Sequence, residues 1–299
     1  MRPKPGDSDL YLSRTSTWLL LFPFLGLYLL FVLLPSLGLV IKAFTTNNSL
    51  DLDILQPATL FHEHYTLYNY LRLLNNPYYQ RVIANTLLIA LSTVLITMAI
   101  GTPVAYLLSR RDFKRSGTLQ WFITLPTYLP SVVAAYSLVI FFGPYGVLNT
   151  VIGLVFKSRM VLVFSIPAVV AGTVYITLPV YIRNVVSAFK GIPSELVEAS
   201  YSLGGTEFYT LTRVLLPLAF PGILAAVILN FSFAVGLIEV ALIVGGGSEN
   251  VPYLPVEIML KATSFGYDIP FASAMATVVF AISLLGQLCS MLLLRRKIA

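Results

Sequence analysis

Residues 195–205 read Glu195-Leu-Val-Glu-Ala-Ser-Tyr-Ser-Leu-Gly-Gly205, and the chain continues to Val214-Leu-Leu-Pro217. This stretch is a short polar island between long apolar runs. Just before it, Gly191-Ile-Pro193 predicts the end of one helix and the start of the next, because proline is well tolerated in a first helical turn. The island therefore begins a new element instead of extending the apolar run that precedes it.

The island has the pattern of two short helices separated by a glycine turn. Gly204-Gly205 can adopt the left-handed backbone that stops a helix, and Thr206 is placed to cap a second helix containing Glu207 and Phe208. The first helix carries a narrow apolar stripe, suited to a groove, with a carboxylate on either flank. The stripe is Leu196, Ala199, Ser200 and Leu203, and the flanking residues are Glu195 and Glu198.

The composition around the island is that of an integral membrane protein. Of 299 residues, 57% are hydrophobic and only 11% are charged, which excludes a soluble domain of this size. The net charge of +6 does not indicate a nucleic-acid partner, because Lys and Arg accumulate in cytoplasmic loops of membrane proteins. The single cysteine, Cys289, excludes an intrachain disulfide or a cysteine metal site.

Six apolar runs are long enough to cross a bilayer, which needs about 20 apolar residues per helix. The first is too long for a signal-peptide core and has no small-residue cleavage site after it, so we expect a retained helix. We therefore expect an all-α protein with a cytoplasmic tail over 1–17 and a transmembrane domain over 18–299. The runs are 18–41, 82–108, 119–142, 161–182, 215–244 and 271–294.

The distribution of basic residues predicts the orientation. With the N-terminus inside, 13 of the 19 Lys and Arg residues fall in inside segments. Because the cytoplasmic loops of membrane proteins are enriched in these residues, both termini and the polar island are predicted to be cytoplasmic.

The island resembles the cytoplasmic signature loop of importer-type ABC transporter permeases, written E-A-A-x3-G-x9-I-x-L-P. Ser200 replaces the second Ala and Val214 replaces Ile, and both changes are conservative in size. Segments 68–77 and 101–106, and the Leu-Pro pairs of the third run, are also similar to this family, so that the resemblance covers about residues 66–294. The matching residues are Glu198, Ala199, Ser200, Gly204, Val214, Leu216 and Pro217.

The resemblance implies a type I importer permease in the cell inner membrane. Its partners would be a cytoplasmic ABC ATPase dimer, a second permease subunit that is homologous or identical, and an extracytoplasmic substrate-binding protein. ATP and Mg²⁺ would be used by the ATPase, with no cofactor or metal bound by this chain. A coupling loop over 184–214 would contact the ATPase, through Glu195, Glu198, Ala199, Ser200, Leu203, Gly204 and Gly205, with Pro217 opening the next helix.

Several alternatives to this interpretation were open. The island could be an amphipathic helix lying on the membrane, or the protein could be an ATP-independent carrier that does not need the island. A membrane-embedded enzyme would need a cluster of catalytic side chains inside the spans, and only Glu239 is available. No P-loop motif occurs, so the chain is not itself the ATPase. His62-Glu63-His64 is more typical of a solvated loop than of a metal site.

Glu239 is the best candidate for the translocation pathway, because it is the one carboxylate well inside a predicted span. A charge at mid-helix costs roughly 2.5–3.5 kcal/mol on insertion scales, so Glu239 is expected to face the bundle interior. It could contact a cationic cargo or form a structural hydrogen bond. Four polar residues could line the same channel or make helix contacts, namely Asn230, Tyr136, Tyr175 and Thr177.

Within the family, the chain looks most like the polyamine branch, which transports spermidine and putrescine. This likeness rests on Asn69-Tyr70, on the segment from Gly143 to Asn149 and on the segment from Gly245 to Asn250. The sugar, sulfate or molybdate, iron and phosphonate branches share the same core and remain alternatives.

Overall fold

The structure is a computed structural model that describes residues 14–46, 65–110, 116–156, 162–263 and 268–298. All regular structure in these ranges is helical. His62-Glu63-His64 and most of the predicted cytoplasmic tail over 1–17 lie outside these ranges. Six helical segments are long and apolar enough to span a bilayer, and they are Leu21–Ala43, Pro77–Ser109, Ser131–Val155, Ile166–Lys190, Glu207–Gly236 and Ile269–Leu288.

In the described parts of its first half, the chain forms seven helices. A π-helical turn, Leu29–Leu33, joins the first two, and a 3-10 turn, Leu125–Tyr128, follows the fifth. The helices are α1 (Arg14–Tyr28), α2 (Leu34–Ala43), α3 (Tyr68–Asn75), α4 (Pro77–Ser109), α5 (Ser116–Thr124), α6 (Ser131–Phe142) and α7 (Val147–Phe156).

The second half repeats the alternation of long and short helices. A second π-helical turn, Leu211–Leu215, lies directly before the fifth span. The helices are α8 (Ile166–Lys190), α9 (Ser194–Ser202), α10 (Glu207–Thr210), α11 (Leu216–Gly236), α12 (Ile238–Ile243), α13 (Leu254–Thr263) and α14 (Ile269–Ile298).

The centre of the bundle is α8, which packs along α4 and α11. Small residues allow these helices to approach closely, as is usual in membranes. A Cβ on Gly101 of α4 would lie 2.6 Å from the Tyr181 ring, and a Cβ on Gly222 of α11 would lie 2.4 Å from the Ala188 Cβ. The first span is peripheral, with α2 packed against α14. The three helices α4, α8 and α11 therefore form a tightly packed core for the bundle.

We call the end of the bundle where α4 and α8 finish and α11 begins the near face, and the opposite end the far face. Two long-range contacts fix the antiparallel order. At the near face, Glu207, the first residue of α10, pairs with Arg110, which follows α4. At the far face, the hydroxyl of Tyr78 at the start of α4 donates a hydrogen bond to Glu257 of α13. Because the described ranges contain six spans, both ends of the described chain lie on the near face.

Two of the predicted runs differ from the observed helices. The third run was expected to be one helix over 119–142, but Pro126 and Pro130 interrupt it, and the span-length segment begins at Ser131. The fifth run was expected to be continuous over 215–244, but it breaks at Leu237, whose backbone is extended at ψ 96°. Glu239 therefore lies in the first turn of the short helix α12, after this break, and is not part of the continuous helix that ends at Gly236.

Candidate coupling segment and translocation pathway

The coupling segment, residues 191–217, turns sharply at its two glycines. Gly204 has a left-handed backbone with φ of 81°, and its N–H donates to the Tyr201 carbonyl at 2.9 Å. A Cβ on Gly205 would lie 2.7 Å from Ser200 Oγ and 2.8 Å from the Ser200 carbonyl oxygen, so only glycine fits there. The predicted helix stop at Gly204-Gly205 is confirmed.

Side-chain hydrogen bonds hold the two arms of the segment together. The hydroxyls of Ser200 on α9 and Thr210 on α10 lie 2.8 Å apart, and both residues are buried. Thr206 caps α10 as expected, because its Oγ1 accepts from the Tyr209 N–H at 3.3 Å. The polar atoms at the turn are thus satisfied inside the segment, which makes it stiff.

The residues of the predicted apolar stripe on α9 do not share one environment, because some are buried and others are exposed. Ser200 points inward, together with Val197, which packs against the core cluster at the near face. Leu203 is 90% exposed and Leu196 44% exposed, and they line an open groove with Tyr209. Other exposed members of the segment are Glu195, Glu198, Ala199, Phe208 and Pro217.

The segment runs into the fifth span without a break. Helical backbone continues from Glu207 through α10, the π-helical turn and α11 to Gly236. In the turn, the Leu216 N–H donates to the Leu211 carbonyl, which shifts the register by one residue just before Pro217. The coupling segment and the fifth span therefore share one continuous helical backbone.

Glu207 ties this lever to α4. Its carboxylate pairs with the Arg110 guanidinium and accepts a hydrogen bond from the Tyr106 hydroxyl at 3.2 Å. Sequence reasoning placed Glu207 in the second helix but missed this contact. Its partners are 97 and 101 residues away, so no local pattern signals it.

A cavity of about 140 Å³ lies between the middle turns of α8 and α11 and is partly open at the exposed side chains of Leu229 and Phe233. Asn230 lines it, is 3% exposed, and leaves both amide atoms without a hydrogen-bond partner in the described structure. Thr177 also lines it, although its hydroxyl donates to the Thr173 carbonyl at 2.9 Å. Asn184 is a further lining residue that sequence reasoning did not select. A buried amide without partners is costly, so this cavity suits a hydrogen-bonding solute.

The other predicted pathway residues do not line this cavity. Tyr136 lies 59% exposed on α6, and Tyr175 packs against the core cluster near α12. Glu239 is half-buried, and its Oε1 accepts from the Ser131 hydroxyl at 3.0 Å. The first turns of α6 and α12 thus meet at this carboxylate, where helix N-termini favour negative charge.

The break between α11 and α12 is held open by Tyr253. Its hydroxyl donates to the carbonyls of Ala234 at 2.5 Å and Val235 at 2.9 Å, which have lost helical partners. Burial raises the pKa of Tyr253 well above its usual range, so the donor proton is retained. Irregular backbone at membrane depth is tolerated only where protein groups satisfy it in this way.

A buried carboxylate at the far face was missed by the sequence reasoning. Glu257 is 4% exposed, and its Oε1 accepts from the hydroxyls of Tyr78 and Ser248, each at 2.5 Å. It lies in α13, in a part of the chain expected to be an outside loop, so nothing predicted its burial. Nearby, Arg72 pairs with Asp268 at 2.5 Å and ties α3 to the start of α14.

Residues 97–296 match the family of binding-protein-dependent transport system inner membrane components. The chain belongs to this family. The permease is 30% identical to the spermidine/putrescine transport system permease protein PotB of Haemophilus influenzae, over 90% of this chain and 91% of that protein. It is also 30% identical to PotB of Escherichia coli, over 91% and 97% respectively.

A relative that matches a smaller share of the chain, and two solved transporter structures, are also similar to this permease. A probable molybdenum ABC transporter permease protein of Haloferax volcanii is 32% identical over 66% of this permease and 70% of that protein. The structure of a bacterial alginate ABC transporter with its alginate pentasaccharide-bound periplasmic protein superimposes with a TM-score of 0.76, 18% identity and 98% coverage of both chains. An inward-facing MetNI methionine ABC transporter gives a TM-score of 0.57 at 20% identity, over 73% of this permease and 94% of that chain.

The predicted family, the six-span importer permease fold and the inner-membrane location are therefore confirmed. The protein is a transport component of a binding-protein-dependent ABC importer. This matches the interpretation of the chain as a permease, in place of a membrane-embedded enzyme.

Proposed function

We propose that this permease forms half of the translocation pathway and couples it, through residues 191–217, to a separate cytoplasmic ATPase dimer. ATP binding closes the ATPase dimer and moves the docked segments of two permease subunits, which opens the pathway outward to a loaded binding protein. Hydrolysis resets the bundle. The ATPase uses ATP and Mg²⁺, and this chain binds neither. The second permease is a homologous or identical subunit.

The unbroken helix from Glu207 to Gly236 is the observation that carries this proposal. A partner that grips α9 and α10 acts on a stiff turn closed by Ser200, Gly205 and Thr210. Its motion then reaches α11 and the wall of the Asn230 cavity along continuous helical backbone. An ATP-independent carrier needs no such exposed lever.

Both termini and the coupling segment are proposed to be cytoplasmic, on the basis of the basic-residue bias. Labelling tests this independently of transport. Leu203→Cys in a Cys289→Ser background is expected to react with a membrane-impermeant maleimide only in inside-out vesicles, since Leu203 is 90% exposed. Labelling only in right-side-out vesicles would reverse the orientation.

The proposed cargo is a polyamine or a similar small solute. The two PotB proteins support it, because they match nearly the whole chain. The half-buried Glu239 offers a carboxylate to an ammonium group, and aromatic residues such as Tyr136 and Tyr175 suit cations. Asn230 and Thr177 would contact the cargo through hydrogen bonds. A molybdate-type oxyanion is the second candidate, on the basis of the Haloferax volcanii relative.

Replacement of Glu198 tests the coupling role. Glu198→Lys reverses an exposed charge on α9 without touching its packing, so membrane insertion should be unchanged. Co-purification of the ATPase and ATP-driven uptake are expected to fall about tenfold. Lys261→Gln, on the far-face helix α13, is the control and should behave as the parent. Normal ATPase binding by Glu198→Lys would contradict the coupling assignment.

Replacement of Glu239 tests the cargo class. Glu239→Gln keeps an oxygen that accepts from Ser131 but removes the charge. Uptake of spermidine into reconstituted vesicles should fall several-fold, with ATPase association unchanged. Equal spermidine uptake by mutant and parent would remove the proposed role, and molybdate uptake by the parent would favour the oxyanion cargo.

A further inference from the structure

A polar pocket of about 340 Å³ lies at the near face, away from the Asn230 cavity and from the coupling groove. One wall is α5 with the 3-10 turn after it, and the other is the last three turns of α8. The polar and aromatic lining residues include Trp121, Thr124, Tyr128, Arg183, Ser187 and Lys190.

Two positive charges line the pocket, and neither forms an ion pair with any residue that the structure describes. Arg183 and Lys190 are seven residues apart on α8, so they share a face and are separated by about 10 Å along the helix axis. Both are exposed. In the parts of the chain that the structure describes, the ion pairs between side chains involve Arg72 and Arg110 instead. The pocket therefore offers cationic donors for an anion.

The depth of the pocket is that of a membrane–water interface. Lys190 is the last residue of α8, where the chain leaves the bundle for the coupling segment. Trp121 is 57% and Tyr128 75% exposed at its rim, and such rings concentrate at the level of lipid headgroups. Beside the two cations the wall on α8 is apolar, with Pro179, Ile182 and Val186.

We propose that this pocket binds the phosphate group of an anionic phospholipid in the leaflet at the near face. Arg183 and Lys190 would hold the phosphate, and the apolar wall would accept the start of the acyl chains. Basic pockets between membrane helices bind lipid headgroups by this combination of charge and depth. A soluble oxyanion such as phosphate or molybdate shares the tetrahedral chemistry, but it would not use the apolar wall.

The inference does not depend on the cargo or on the orientation in the cell, because each membrane leaflet can supply such a lipid. It does have a consequence for transport. A bound lipid would fasten α5 to α8 one residue before Gly191, where the coupling segment begins. Lipid bound in this pocket should then reduce the motion of α9 relative to the bundle.

The test measures which lipid stays bound to the purified full-length chain. The permease is incubated with equal amounts of phosphatidylglycerol and phosphatidylcholine in mixed micelles, and retained lipid is counted by native mass spectrometry. The parent should retain phosphatidylglycerol at least fivefold over phosphatidylcholine. R183Q/K190Q should lose this preference, whereas Lys261→Gln, which removes a charge at the far face, should keep it. An unchanged preference in R183Q/K190Q would overturn the proposal.

Two further arms distinguish the alternatives. R183K/K190R preserves the charges and should retain the preference, which separates charge from misfolding. If R183Q/K190Q does not purify, Arg183→Gln and Lys190→Gln are measured singly. Each should lower the ratio at least twofold, and unchanged ratios in both would overturn the proposal. Removal of the bound lipid by millimolar phosphate or molybdate would also overturn it, because the site would then be one for a soluble oxyanion.

Discussion

The coupling segment leaves apolar side chains without packing partners, whereas the Asn230 cavity leaves a polar side chain without a hydrogen-bond partner in the described structure. In the coupling segment the polar atoms at the turn are satisfied internally, while Leu203 and Phe208 are left 90% and 75% exposed. In the cavity the amide of Asn230 is buried without a hydrogen-bond partner in the described structure. One site lacks apolar contacts and the other lacks polar contacts.

The difference indicates what each site is built to receive. Exposed leucine and phenylalanine beside a stiff turn are suited to a protein groove, which would bury them. An unpaired amide inside the bundle suits a small solute with hydrogen-bonding groups, which would satisfy it for part of the transport cycle. The unbroken helix from Glu207 to Gly236 joins the two sites, and it is the route by which the proposed coupling would link them.

The largest expected effect is from a methyl group at Gly205. In Gly205→Ala the new Cβ would lie 2.8 Å from the Ser200 carbonyl oxygen, a backbone atom that cannot move aside cheaply. The turn between α9 and α10 must then open, which misplaces Leu203. We expect ATP-driven uptake and co-purification of the ATPase to fall tenfold or more.

The matched control is Gly191→Ala, in the same segment. A Cβ there would lie 3.5 Å from its nearest neighbour, the Ser187 carbonyl oxygen, which is an ordinary contact. Uptake should stay within about twofold of the parent. If Gly205→Ala also transports normally, a rigid turn is not what the coupling segment contributes.

A smaller effect is expected when the exposed apolar surface is made polar. Leu203→Asp puts a charge where a partner groove would expect a leucine, and the side chain is too exposed to affect folding. Binding of the ATPase should weaken about tenfold, as measured by titration of the purified components. Ser202→Asp adds the same charge one residue away, and it should weaken binding by no more than twofold.

The fold and the coupling segment could be predicted because their signals are local. Long apolar runs define the spans, and glycine and threonine at fixed spacing define the stop at Gly204 and the cap at Thr206. Each of these residues acts within about four positions of itself, so a single sequence contains the information.

The pathway could not be predicted to the same extent because it depends on helix packing. Asn230 and Thr177 line one cavity, but nothing in the sequence indicates that Asn184 joins them. The break at Leu237 is stabilised by Tyr253, 16 positions further on, and the apolar run gives no sign of it. Burial of Glu257 likewise depends on Tyr78, 179 residues away.

The smallest expected effect comes from replacing two buried asparagines, Asn230 and Asn69, by leucine. The same substitution should change the stability of the permease in opposite directions at the two positions, which makes it the sharpest test of the comparison. Asn230 has no partner, whereas the Asn69 amide donates to the carbonyls of Ala43 at 3.0 Å and Thr45 at 2.8 Å. Removing an unpaired amide relieves a desolvation cost, while removing a paired one leaves its acceptors unsatisfied, at about 1–3 kcal/mol.

Asn230→Leu should therefore raise the midpoint of thermal unfolding of the purified permease, and the cavity beside it has room for the larger side chain. Asn69→Leu should lower the midpoint. Uptake should fall several-fold in Asn230→Leu despite its greater stability, because cargo in transit would lose a hydrogen-bonding partner. A loss of stability in Asn230→Leu would mean that the amide already has a partner in the assembled transporter, and the cavity would then be a packing feature of the bundle with no role in transport.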